Sequence, residues 1–131
     1  MAQRLTQEQK AERGKRAENA VARRLWWEGY RILERNYAVR GGEVDIIARR
    51  GDTVAFVEVR ARQEGSEIAP KDTVGYGKQR RIDTAASAYV KAKRLEDVSL
   101  RYDIAEVWLD DRGRPKQIDI IEGAFGDPRR R

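Results

Sequence analysis

The chain has 131 residues, 40% hydrophobic and 38% charged, with a formal net charge of +6; that is enough for one domain with its own core, running from residue 1 to 131. It contains no cysteine and no histidine, which excludes disulfides, thiolate or imidazole metal sites, cysteine nucleophiles and Ser-His-Asp triads. No apolar run approaches the roughly 20 residues of a membrane span, and Met1-Ala2-Gln3-Arg4-Leu5 lacks the apolar stretch of a secretory leader, so the expected location is cytoplasmic and no membrane partner is expected.

Thr6-Gln7-Glu8-Gln9 has the form of a capping box, with Thr6 as N-cap. A helical pattern follows to about Glu28, with Gly29 placed to end it. Tyr30 to Tyr37 reads as a strand, Gly41-Gly42 as a turn, and Glu43 to Ala48 as a second strand closed by Arg50-Gly51-Asp52. Thr53 to Arg60, rich in β-branched and aromatic residues, is a third strand, and its short glycine turn predicts an antiparallel hairpin with the second. Gln63 to Gly77 is polar and glycine-containing and reads as a mobile loop. Lys78 to Lys93 carries Ile82, Ala85, Ala86, Tyr89 and Val90 at helical spacing. Leu100 to Leu109 and Gln117 to Ile121 are strands about an Asp110–Pro115 turn, and residues 125–131 form a basic tail expected to fray. The order α-β-β-β-α-β-β predicts an α/β fold with a mixed sheet flanked by helices.

Three acids interrupt otherwise apolar patterns. Alternation groups Val54, Phe56, Glu58 and Arg60 on one face of the third strand, which sets Glu58 in one of the most apolar stretches of the chain. A carboxylate there needs a cationic partner, a metal, or an exposed strand end. Asp45 interrupts Val44 to Ala48 on the neighbouring strand, so a suitable register brings the two together. Two such carboxylates, with carbonyls and water, offer the hard oxygen ligands that Mg²⁺ or Mn²⁺ prefers; the alternative is two separate acids at strand ends. Glu18, with Val21, Ala22 and Leu25 following at helical spacing, lies on or beside the apolar face of the first helix, or at its solvated boundary.

Together these residues read E…(G)E-V-D…F-V-E-V-R, which resembles the PD-(D/E)xK nuclease signature. Wider stretches sharpen the likeness: Gly14-Lys15-Arg16-Ala17-Glu18-Asn19-Ala20, Gly29 to Asn36, Gly42-Glu43-Val44-Asp45-Ile46-Ile47-Ala48, Phe56 to Arg62, Lys78 to Ile82 and Arg101 to Ala105. In these the chain resembles the YraN-like family of small uncharacterised bacterial proteins, itself similar to Holliday-junction resolvases. The resemblance implies a restriction-endonuclease-like fold and a metal site, Mg²⁺ or Mn²⁺, at Asp45 and Glu58 with Glu18 as outer ligand or orienting group. It also implies an endonuclease acting on DNA, including branched DNA, and a homodimer. One position departs from the family pattern: Arg60 stands where a lysine is usual. A guanidinium stabilises phosphate charge but does not surrender its proton. Lys78 is a candidate substitute amine, although basic residues near helix ends are commonly solvated.

The positive balance favours a polyanion, because cationic side chains displace counterions condensed on phosphates. Arg62, Lys78, Arg80 and Arg81 can gather at the edge that carries the acids and contact nucleic acid, or form a solvated face. Trp26 and Trp27 are adjacent, so the expectation is that at least one lies in the core and the other is open to stacking or a partner. Three functions stay open at this point: a metal-dependent phosphodiesterase, a nucleic-acid-binding module of the same fold that no longer cuts (consistent with Arg60), and an interaction protein with an incidental basic surface.

Overall fold

The computed structural model describes residues 5–65 and 75–126. Seven elements appear: α1 (Gln7–Trp27), β1 (Arg31–Val39), β2 (Gly42–Arg50), β3 (Thr53–Gln63), α2 (Tyr76–Ala92), β4 (Ser99–Leu109) and β5 (Pro115–Ile121). The α/β class and the element order are those expected from the sequence. The five strands form one sheet in the order β1-β2-β3-β4-β5. β3 and β4 are parallel, joined across α2, and the other neighbours are antiparallel. Among the described residues, no helix is long and apolar enough to cross a membrane.

The helix ends follow from local chemistry. Thr6 Oγ1 accepts from Gln9 N at 3.0 Å, and Thr6 N donates to Gln9 Oε1 at 2.8 Å, completing the capping box. At the other end Gly29 takes φ +90°. There Tyr30 N donates to Leu25 O and Gly29 N to Trp26 O, the paired bonds of a Schellman stop that a glycine makes without strain.

Each helix covers one face of the sheet. Ala17, Val21 and Leu25 of α1 pack on Ile46, Ala48, Ala55, Val57, Ala105 and Val107. Ile82, Ala85, Ala86 and Tyr89 of α2 pack on Val44, Ile47, Val54, Phe56, Tyr102 and Ile104. Burying each large side chain contributes about 1.5–3 kcal/mol, so the closely packed sheet centre carries most of the stability. α2 lies close enough to β2 that a Cβ at Gly42 would fall on the Arg81 carbonyl and within 2.8 Å of Ala85 N.

Several boundaries differ from the expectation. β3 runs on to Gln63, because β4 continues beside it through Gln63↔Leu109, and α2 starts at Tyr76. The segment expected as a mobile loop therefore contributes Gln63 to a strand and Tyr76 and Gly77 to a helix; its residues 66–74 lie outside the described residues, as do 127–131 of the tail. Phe125, assigned by sequence to that tail, stacks on Tyr102 with ring centroids 4.7 Å apart, and Ala124 N donates to Tyr102 O.

Candidate functional site

In a regular strand, residues two apart share a face. The outer half of the β1–β2 hairpin breaks this rule at one level. Arg35 reaches Glu18 on α1, whereas Tyr37 packs edge-on against Tyr89 of α2. Between them Asn36 takes φ 52°, a left-handed conformation that asparagine tolerates better than most residues. On β2, Val44 belongs to the α2-side core and Ile46 to the α1-side core, with Asp45 between them. Both strands thus exchange faces at Asn36 and Asp45.

The β2–β3 ladder stops at the same level. Its last pair is Ile46↔Val57, and one further step would set Asp45 opposite Glu58. Instead Asp45 turns its carboxylate into the gap, where Oδ2 accepts from Val59 N at 2.7 Å. The freed strand edges open a cleft of about 650 Å³ beside α1, lined in part by Gly14, Lys15, Glu18, Asn36, Asp45 and Val59. Burial, then the charge of Glu58, and more weakly that of Glu18, push the Asp45 carboxyl up to about 7. The Val59 bond and the Lys78 charge oppose the shift without cancelling it.

The other acids have partners. Glu18 Oε1 accepts from Arg35 Nε at 2.9 Å and from Asn36 Nδ2 at 3.0 Å. Its side chain is 12% exposed, so the boundary glutamate of the sequence is anchored on the cleft wall. Glu58 is buried and does not line that cleft; alternation turns it toward the α2 face with Val54 and Phe56. There Lys78 Nζ lies 2.6 Å from Glu58 Oε1, which answers the need of a buried carboxylate for a counter-charge. Among the described residues, no three acidic side chains lie close enough together to hold a metal ion.

Arg60 and Arg62 both turn to β4. Arg60 Nη1 is 3.9 Å from Glu106 Oε1, and Arg62 Nε is 2.8 Å from Glu106 Oε2. Register explains this, since Arg60 pairs with Glu106 across the parallel ladder. Arg80 and Arg81 are exposed on α2, with the Arg80 guanidinium 5.9 Å from the centre of the Tyr76 ring. Both tryptophans are on the surface, Trp26 62% and Trp27 75% exposed. The expectation of one core tryptophan is therefore corrected: the buried stripe of α1 is Ala17, Val21 and Leu25, and positions 26 and 27 rotate past it.

Sequence reasoning did not anticipate Arg35, Asn36 or Lys15 in the cleft, nor two further buried acids, Asp103 and Glu106. Asp103 is fully buried, bound by Arg101 at 2.8 Å and by Gly123 N at 3.0 Å, while Arg101 Nη2 donates to Tyr30 Oη at 2.6 Å. The signals were an asparagine inside a strand and the alternating Arg101-Tyr102-Asp103 run.

Comparison with known proteins gives one consistent result. The model of the uncharacterised protein family UPF0102 matches residues 17–107. A UPF0102 protein of Moorella thermoacetica is 40% identical over 86% of this chain and 94% of its own. One from Syntrophus aciditrophicus is 44% identical over 86% and 87%, and one from Myxococcus xanthus is 38% identical over 89% and 91%.

Proposed function

We propose that this chain, which belongs to the uncharacterised protein family UPF0102, is a metal-dependent endonuclease-like protein acting on DNA, branched DNA included. The observation that carries the reading is Asp45: a carboxyl held near pKa 7 by burial and two neighbouring acids, at the one level where the β2–β3 ladder opens. Burial and the charges of Glu58 and Glu18 disfavour the ionised form of Asp45, and a hard divalent cation would offset both. Asp45 would hold Mg²⁺ or Mn²⁺ from the cleft, Glu58 would join it by exchanging Lys78 for the ion, and the ion would polarise the scissile phosphate.

The chain's own residues would do the rest. Lys15 lines the cleft and offers a phosphate contact. Glu18, fixed by Arg35 and Asn36, keeps the wall opposite Asp45 acidic and ordered. Lys78 is half exposed and already beside Glu58, so its ammonium can follow the charge that develops as water adds to phosphorus and the ester oxygen leaves. In this position it takes the place that the family pattern gives to the residue at Arg60. A second reading is favoured by Arg60 itself: with its guanidinium drawn to Glu106, a module that grips DNA without cutting is the alternative.

The test is incubation of branched and linear DNA with Mg²⁺ or Mn²⁺. Cleavage is expected from the wild type. Asp45→Asn should abolish it, and Lys78→Ala should lower it roughly tenfold to a hundredfold, while both still bind DNA. Binding without cleavage selects the second reading, and no binding at low salt, where phosphate contacts are strongest, removes both.

A further inference from the structure

Trp26 and Trp27 form the largest exposed aromatic surface on the described residues, with ring centroids 5.3 Å apart and planes at 79°. Two adjacent exposed indoles give a contiguous apolar surface, the feature that marks a contact site where a lone exposed side chain does not. Their position on α1 is informative. Lys15, Glu18, Ala22 and Trp26 follow one flank of the helix at spacings of three and four residues. Lys15 and Glu18 line the cleft beside Asp45, so Trp26 stands on the same flank, about 12 Å farther along the axis at 1.5 Å per residue. Arg23, three residues before Trp26 and four before Trp27, is exposed between them.

We infer that Trp26 and Trp27, with Arg23, form a stacking platform for unpaired bases of the DNA strand whose phosphates enter the cleft. The inference rests on the proposed nucleic-acid reading and narrows its substrate class to DNA with a single-stranded segment. Both ring faces of a base are covered inside a duplex, whereas an unpaired base offers a face to an indole, and an adjacent guanidinium contributes both stacking and phosphate contact. A net charge of +6 favours that occupant over a basic or neutral protein partner, because Arg23 is exposed beside the platform and Lys15 lines the cleft on the same helix flank.

The experiment measures anisotropy of a labelled oligothymidylate and of a labelled duplex of equal length, with the full chain and divalent ions chelated to prevent cleavage. Trp26→Ala with Trp27→Ala is expected to weaken single-strand binding roughly tenfold or more, and duplex binding less than about threefold. Trp26→Phe with Trp27→Phe should recover most of the single-strand affinity. Both positions are exposed, so the fold tolerates the changes, and unaltered circular dichroism checks this. Equal losses on the two DNAs, or no loss on either, overturn the platform. Were the double alanine variant to bind single strands normally while the wild type cuts DNA with Mg²⁺, the platform alone would fall. Absence of wild-type binding to either DNA removes the platform and the proposed function together.

Discussion

From Arg50↔Thr53 to Ile46↔Val57, β2 and β3 pair without interruption; Ile46, Ile47, Ala48, Val54, Ala55, Phe56 and Val57 are all fully buried there. One residue farther along each strand the ladder ends, and the next side chains are Asp45 and Glu58. The same two strands thus serve as core at one end and as a charged opening at the other. The closed end satisfies its backbone groups with each other and buries apolar side chains on both faces. The open end gives up ladder bonds, and Asp45 takes up one of the freed N–H groups. Asp45 stands where the ladder ends, and its carboxyl lines the cleft there instead of entering the apolar core.

The largest expected effect lies at the closed end. Phe56 is fully buried and makes edge contacts with Tyr89 and Tyr102 at 6.3 and 6.0 Å. Phe56→Ala should lower unfolding stability by about 3–5 kcal/mol, read from denaturant midpoints, whereas Asp45→Asn should cost little at pH 7. Comparable losses at both positions would erase the contrast between the two ends.

A smaller effect comes from the proton on Asp45. Its ordinary value is 3.8 and its folded value about 7, so between these limits the folded chain keeps a proton that the unfolded chain releases. Stability should therefore fall as pH rises from about 4 and level off above about 7. The amplitude should be on the order of 2 kcal/mol, less than the full shift implies because the side chain is only partly buried. Asp45→Asn should flatten that window and exceed the wild type in stability at pH 8. Added Mg²⁺ should stabilise the wild type at pH 8 and leave the asparagine variant unmoved. A wild-type profile identical to that of Asp45→Asn would show that burial does not hold the carboxyl as described.

The sequence made the closed end legible and the open end only in outline. Capping box, Gly29 stop, hairpin turns and period-two apolar runs each depend on neighbours within a few residues, so element order and most boundaries could be read. Asp45, Glu58 and Glu18 stood out because a charge inside an apolar pattern needs an explanation. Their partners did not stand out. Lys78 meets Glu58 from another element, twenty residues along the chain, and Arg60 meets Glu106 through a parallel register that no local pattern reports. The left-handed Asn36 and the exchange of faces it accompanies are tertiary events, and Trp26 and Trp27 were misjudged because hydrophobicity alone does not fix helix rotation.

The smallest expected effect is that of Arg60→Lys, and it sharpens the comparison most. A strict reading of the family pattern makes this substitution restore the missing amine and raise cleavage. The geometry gives a different expectation. The Arg60 side chain is 19% exposed and its guanidinium lies 3.9 Å from Glu106, beyond hydrogen-bond range, while Arg62 already binds the same carboxylate at 2.8 Å. A lysine at this position would meet the same pull from Glu106 and would not be freed toward Asp45. With Arg62 retained, Glu106 keeps its main partner, so stability should change by less than about 0.5 kcal/mol. Cleavage should stay within about threefold of wild type if Lys78 supplies the cationic group. Combining Arg60→Lys with Lys78→Ala distinguishes the two positions: activity as low as that of Lys78→Ala alone assigns the role to α2. Activity restored to wild type in the double variant would place the amine on β3 after all, and Glu106 would then be a tether the substrate can displace.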